Sequence, residues 1–200
     1  MGLDYGLLIE IVGAAIALVY IYFEYKASIW LWRIGILMSL FYIVIFFQSK
    51  FYADAGIYLY ILGANIYGLW VWHKHSTPQS SEASPYDGIS RMPAKYWRVL
   101  IPIIVVCWAG LALLLKYCTD SPVPIGDSFT TALSVVAMWV LARKYYDAWL
   151  FWIVVNAVSA GLYLRQGLYP TFAVFIVYTI ISCAGLRKWK KESRTDNLKL

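Results

Sequence analysis

The stretch WLFWIVVN, residues 149–156, sets Trp149 and Trp152 three residues apart and Asn156 four past the second. Residues three and four apart share a helix face, so Trp152 and Asn156 are neighbours and Trp149 extends their stripe by a turn. Tyr163, seven past Asn156, returns to the same face. A column of rings with one amide can bind a flat, polar guest. The ring faces stack and attract positive charge, while the amide donates and accepts together. The same asparagine could serve structure alone, through an interhelical hydrogen bond of about 0.6 kcal/mol.

Other polar side chains fall inside apolar segments. Asn65 lies in the inner half of the third such segment, and Thr130, Thr131 and Ser134 in the outer half of the fifth. Ser39 is near the middle of the second. Hydrocarbon offers no water, so such groups must turn inward and find partners. The deeper aromatics Tyr58, Tyr67, Trp139 and Tyr178 suit either packing or a cavity wall. Trp30, Trp32, Trp70, Trp72, Trp97 and Trp189 sit near segment ends, where indoles anchor at the membrane interface.

The elements that must position these residues follow from composition. The chain has 200 residues, 62% hydrophobic and 14% charged. A soluble domain of this size could not cover so much apolar surface. The apolar residues form seven blocks, roughly 6–24, 28–47, 51–72, 97–116, 127–143, 147–164 and 168–186. A bilayer span needs about 20 such residues. The blocks are continuous and not alternating, which disfavours a β-barrel. The first block is expected to be a retained span, because no Lys or Arg precedes Lys26 as a signal peptide would require.

The net charge of +6 is unevenly spread. Seven crossings put thirteen Lys and Arg on one side, Lys26 and the tail residues among them, against Lys50, Lys116 and Arg165 on the other; Arg33 is left over. That is the positive-inside pattern and not a nucleic-acid footprint. It predicts an N-terminus outside and a C-terminus in the cytoplasm. Cys107, Cys118 and Cys183 are too few and scattered for a disulfide framework or zinc site, and no cofactor is expected.

The two ends of the chain look alike when shifted by 117 positions. Lys26 falls on Arg143, Trp32 on Trp149, Tyr52 on Tyr169, Gly68 on Gly185, Leu69 on Leu186, Trp72 on Trp189 and Lys74 on Lys191. Ser39 falls on Asn156. The expected organisation is a first three-helix repeat over 1–73 and a flexible, Ser- and Pro-rich cytoplasmic loop over 74–96. A lipid-facing linker helix over 97–117, a second repeat over 126–190 and a cytoplasmic tail over 191–200 follow. A single linker helix makes the repeats parallel, an arrangement found among transporters, with one trio rocking against the other.

No Asp, Glu, Lys or His stands at a helix midpoint, so a proton relay is not expected and the pattern suits a facilitator. There is no HExxH, GxSxG or P-loop motif, which argues against an enzyme. The seventh block holds no lysine for retinal, although a seven-helix ligand-sensing receptor stays an alternative.

The segments FTTALS, WIVVN and GLYP, with WLWRIGI, KFYADAGIYLY and NIYGLWVW in the first half, resemble PnuC-type vitamin transporters from about residue 10 to 190. The resemblance implies an all-α, seven-helix fold of 3+1+3 parallel repeats, like that of SWEET carriers, in the bacterial inner membrane. It implies uptake of nicotinamide riboside or a related vitamin by facilitated diffusion, with a cytoplasmic vitamin kinase trapping the substrate, and a homotrimer. The residues it carries over are Thr131, Ser134, Trp149, Trp152, Asn156, Asn65 and Tyr67; Tyr58 and Tyr163 join them from the residue reading above. Met138 and Tyr58 stand where riboside-type members carry Gln, and their exchange suits thiamine, the substrate of another branch.

Overall fold

A backbone that must satisfy its own hydrogen bonds in lipid forms helices, and the computed structural model is built of them. It describes residues 18–48, 52–75, 85–119 and 122–196. The helices are α1, described over 18–25; α2, Trp30–Gln48; α3, Tyr52–His75; α4, Ala94–Cys118; α5, Pro124–Ala142; α6, Ala148–Arg165; and α7, Tyr169–Asp196. From α2 onward every start lies within three residues of the expected one; the expected start of the first span lies outside the described residues. Four stretches are long and apolar enough to cross a membrane among the described residues: α4, α5, α6 and Thr171–Thr195 of α7. In α2 the apolar stretch is shorter, Trp30–Val44. Asn65, Asp54 and a run of tyrosines make α3 less apolar. The chain is a multi-pass membrane protein.

The chain divides into two compact units, Met1–Tyr86 and Asp87–Leu200. In the first, α2 packs along α3. In the second, α4 packs on α5, α5 on α6, and α6 on α7. Helix α4, expected to be a lipid-facing linker, packs against α5. Its Trp108 Nε1 donates to the Ile125 carbonyl at 3.0 Å, and Trp97 stacks on Phe151 with centroids 5.4 Å apart. Along the rest of α4, Val99, Ile103, Val106 and Leu113 are exposed, as lipid contact requires.

The turns that end α1 and α5 are the same turn. After α1, Ser28 N–H donates to Phe23 O at 2.9 Å and Ala27 N–H to Glu24 O at 3.0 Å. After α5, Tyr145 N–H donates to Val140 O at 3.2 Å and Lys144 N–H to Leu141 O at 2.9 Å. Both are Schellman closures, whose pivot adopts left-handed backbone and is usually glycine. Here the pivots are Ala27 at φ 49° and Lys144 at φ 56°, residues 117 apart.

The connection before α4 was expected to be loose, but its last part is anchored. Ser90 N–H donates to Lys144 O at 3.2 Å and Tyr146 N–H to Ser90 O at 3.1 Å. Met92 N–H donates to Asp147 Oδ2 at 2.7 Å, and Lys144 Nζ to Asp87 O at 2.9 Å. Ile89 and Met92 are buried, 3% and 2% exposed. Two apolar side chains and four hydrogen bonds thus seat this segment on the α5–α6 turn, which composition alone does not reveal.

Candidate functional site

The aromatic and amide column of α6 faces α7. Trp149 is fully enclosed, edge-on to Trp189 at 5.7 Å and 83°. Gly185 permits this, since a Cβ there would lie 2.6 Å from the Trp149 ring. Two helical turns along, Asn156 Nδ2 donates to Ser182 Oγ at 3.2 Å, and the asparagine is 7% exposed. Tyr163 meets Phe175 with ring centroids 5.0 Å apart. Trp152 is half-buried, and its Nε1 is enclosed with no hydrogen-bond partner among the described residues.

The first unit repeats this seam with one exchange. Trp32 lies edge-on to Trp72 at 5.5 Å and 80°, over Gly68. Asn65 Nδ2 donates to Ser39 Oγ at 3.4 Å and to Ile61 O at 2.9 Å. Shifting Ser39 and Asn65 by 117 gives Asn156 and Ser182, so amide and hydroxyl have traded helices. Gly35 accompanies the exchange. A Cβ at Gly35 would collide with the Asn65 amide, and the position 117 further on is Trp152. The register thus sets Gly35 and Asn65 of one unit against Trp152 and Ser182 of the other, a small and a large residue exchanged at each position.

These contacts correct part of the tryptophan reading. Trp32, Trp72 and Trp189, expected at the membrane interface, are 0%, 1% and 0% exposed. A glycine opposite an indole makes a socket deep enough to remove the ring from lipid. Trp30 and Trp70 are 52% and 61% exposed and fit the anchoring role.

The remaining candidates lie as follows. Ser134 Oγ donates to Thr130 O at 2.8 Å, and Thr130 Oγ1 to Asp127 O at 3.0 Å, so both hydroxyls return to their own helix. Thr131 is exposed. Tyr58 stacks on Tyr42 at 4.8 Å, and Tyr67 leans on Trp70 at 6.3 Å. Asn65 is 1% exposed, and its Oδ1 has no partner among the described residues. A cavity of about 210 Å³ opens between the start of α5 and the end of α6, with Asp127, Thr130, Ser159 and Tyr163 in its wall. Ser159 of this wall is one turn from Asn156 on α6.

Sequence reasoning did not single out Ser182, Gly35 or Ser159. The signal was present in the register that matched the tryptophans. Carried to Asn65 and Trp152, it leads to Ser182 and Gly35.

Comparison with known proteins agrees with this architecture. Residues 7–191 match the nicotinamide mononucleotide transporter family. The nicotinamide riboside transporter PnuC of Escherichia coli (strain K12) is 26% identical over 171 residues, 76% of this chain and 72% of that protein. The riboflavin/roseoflavin transporter RibM of Streptomyces davaonensis is 25% identical over 194 residues, 94% of this chain and 87% of that protein. The crystal structure of the vitamin B3 transporter PnuC shares the fold, with a TM-score of 0.68 at 20% identity, covering 92% of this chain and 81% of that one. The helices, the tryptophan-lined seams and the match over 7–191 lead to one conclusion: the chain belongs to the nicotinamide mononucleotide transporter family, a family of membrane transporters and not of enzymes.

Proposed function

We propose that this protein takes up a B-vitamin-type substrate across the bacterial inner membrane by facilitated diffusion, with nicotinamide riboside the leading substrate. The observation that carries the reading is Trp152. It stands where the first unit has Gly35, so helix packing of this type does not require an indole there. Its enclosed Nε1, like those of Trp32 and Trp149, has no acceptor among the described residues, a costly state that at Trp152 an acceptor on a bound guest would relieve. In this reading Trp152 stacks the cationic ring and Asn156 fixes a polar group on it. Tyr163 and Ser134 extend the wall toward the α5–α6 cavity; Thr131 and Trp149 are the remaining candidates of α5 and α6, with Trp149 enclosed against Trp189. Asp127 in that cavity's wall suits a positively charged guest. In the first unit Asn65, Tyr58 and Tyr67 are the substrate-contacting candidates.

Around this reading the organisation is a 3+1+3 parallel duplication like that of SWEET carriers. The recurrence of the α1 turn, the tryptophan pair and the amide–hydroxyl pair at a spacing of 117 supports it. The basic-residue asymmetry supports an outside N-terminus and a cytoplasmic C-terminus. A homotrimer suits the exposed apolar length of α4, and a cytoplasmic vitamin kinase would make uptake unidirectional.

A second reading, thiamine, follows from the family resemblance, in which Met138 and Tyr58 stand where riboside-type members are expected to carry Gln. Counterflow in liposomes with labelled nicotinamide riboside, thiamine and riboflavin distinguishes these. Exchange of one of them identifies the substrate. Binding without exchange would instead indicate a receptor and overturn the proposal.

A further inference from the structure

A second recess lies at the opposite end of α6 from the cavity described above. It encloses about 410 Å³ between the α5–α6 turn and the last turns of α7. Arg91, Lys190 and Arg194 converge on it, with Tyr146, Ser193 and Asp147 beside them. Transport as proposed above makes no use of it.

Three features argue that the convergence is built. First, Arg91 belongs to the segment seated on the turn. The residues on either side of it, Ser90 and Met92, are both hydrogen-bonded to the turn, so its backbone is fixed over the recess. Second, Lys190 and Arg194 are one turn apart on α7. Like charges at that spacing repel, and a third cation adds to the cost unless an anion sits among them. The carboxylate at the recess, Asp147, is nearly buried and its Oδ2 accepts from Met92 N–H. Third, the first unit lacks the charge pattern. The positions 117 before Tyr146, Asp147 and Lys190 are Ile29, Trp30 and His73. A general excess of Lys and Arg on one side of the membrane does not require this clustering.

We propose that this recess binds a phosphate-type anion, carried either by an anionic lipid headgroup or by a soluble phosphate compound. The guanidinium groups of Arg91 and Arg194 can each give two parallel hydrogen bonds to phosphate oxygens, and Lys190 adds a point charge. The hydroxyls of Tyr146 and Ser193 are further donors. The volume accommodates a phosphate ester with its substituents. Basic pockets at the cytoplasmic ends of membrane helices are suited to such headgroups. The inference is independent of the transported substrate.

The test uses the purified full-length protein. Cardiolipin retention is read by native mass spectrometry, and inorganic phosphate and pyrophosphate binding by titration calorimetry. Lys190→Gln with Arg194→Gln should weaken the bound anion by about tenfold or more. Arg187→Gln with Lys191→Gln removes the same charge from exposed positions outside the recess and should leave binding within about twofold. Arg91→Gln, outside any helix, gives an independent loss if the α7 variant is poorly folded. Loss of cardiolipin alone identifies a headgroup site, and loss of phosphate or pyrophosphate alone a soluble-ligand site. Absence of binding by the unaltered protein, or equal loss in the Arg187/Lys191 control, would overturn the proposal.

Discussion

Gly185 lies so close beneath Trp149 that a methyl group on it would stand 2.6 Å from the indole. Gly68 bears the same relation to Trp32, at 2.5 Å. Each glycine is a socket, and each tryptophan fills it.

Gly185→Ala should therefore destabilise the protein by about 1–3 kcal/mol, the usual cost of forcing extra volume into a packed core. Gly68→Ala should do the same. Gly110→Ala on α4, where a Cβ meets nothing within 4 Å, should be neutral or slightly favourable. Thermal unfolding in detergent, read by tryptophan fluorescence, compares the three. Equal melting temperatures would contradict the socket.

Asn156→Leu is expected to abolish uptake while the protein still inserts and folds. The lost bond to Ser182 is worth about 0.6 kcal/mol to stability, too little to unfold a helix bundle. Ser182→Ala removes the same bond from the other side and should keep most uptake. If the two variants behave alike, Asn156 serves only the α6–α7 seam. Chromatographic homogeneity and liposome uptake are the two readouts.

The amide–hydroxyl exchange can be tested by making it. Asn65→Ser alone leaves Ser39 without its donor and should lower the melting temperature. Adding Ser39→Asn recreates the arrangement of Asn156 and Ser182 and should restore part of the loss. A double variant no better than the single one would mean that the two seams are not interchangeable.

Ala27 and Lys144 test the left-handed pivots. Left-handed backbone costs about 1–2 kcal/mol in a non-glycine residue, against about 0.5–1 kcal/mol for glycine's greater freedom when unfolded. Ala27→Gly should raise stability by up to about 1 kcal/mol. Lys144→Gly gains the same relief but loses the Nζ bond to Asp87 O. Hydrogen exchange over residues 85–93 should then quicken, whereas Ala27→Gly should leave that segment unchanged.

Uptake should persist when the proton gradient is collapsed, as facilitated diffusion requires. A protonophore added to proteoliposomes under an imposed pH difference gives the check. Complete arrest of counterflow would indicate coupling.

Much of this structure was legible in the chain. Spans must be apolar for about 20 residues, so hydropathy marked the helix starts from α2 onward to within three residues, whereas α7 continues ten residues past its expected end, to Asp196. The turn after α1 and its twin after α5 lay within the matched register of Lys26 and Arg143. What escaped were relations between unlike residues. A search for like against like aligns Trp32 with Trp149 but passes over Asn65 and Ser182, because the pair keeps its chemistry only when both members change. A helical wheel puts Trp149, Trp152, Asn156 and Tyr163 on one side of α6 without naming what they face. The neighbour is α7, and only packing supplies that. Residues 85–93 read as loop because Ile89 and Met92 are too isolated to form a periodic pattern.

Gly35 and Trp152 carry one more implication. In the proposed duplication each half would offer a ring to stack if both kept the indole. Here one half has an indole, Trp152, where the other has the hydrogen atom of Gly35, so on the proposed reading a single ring stacks per polypeptide. The stoichiometry of vitamin to protomer should accordingly be one to one, whatever the number of protomers that assemble.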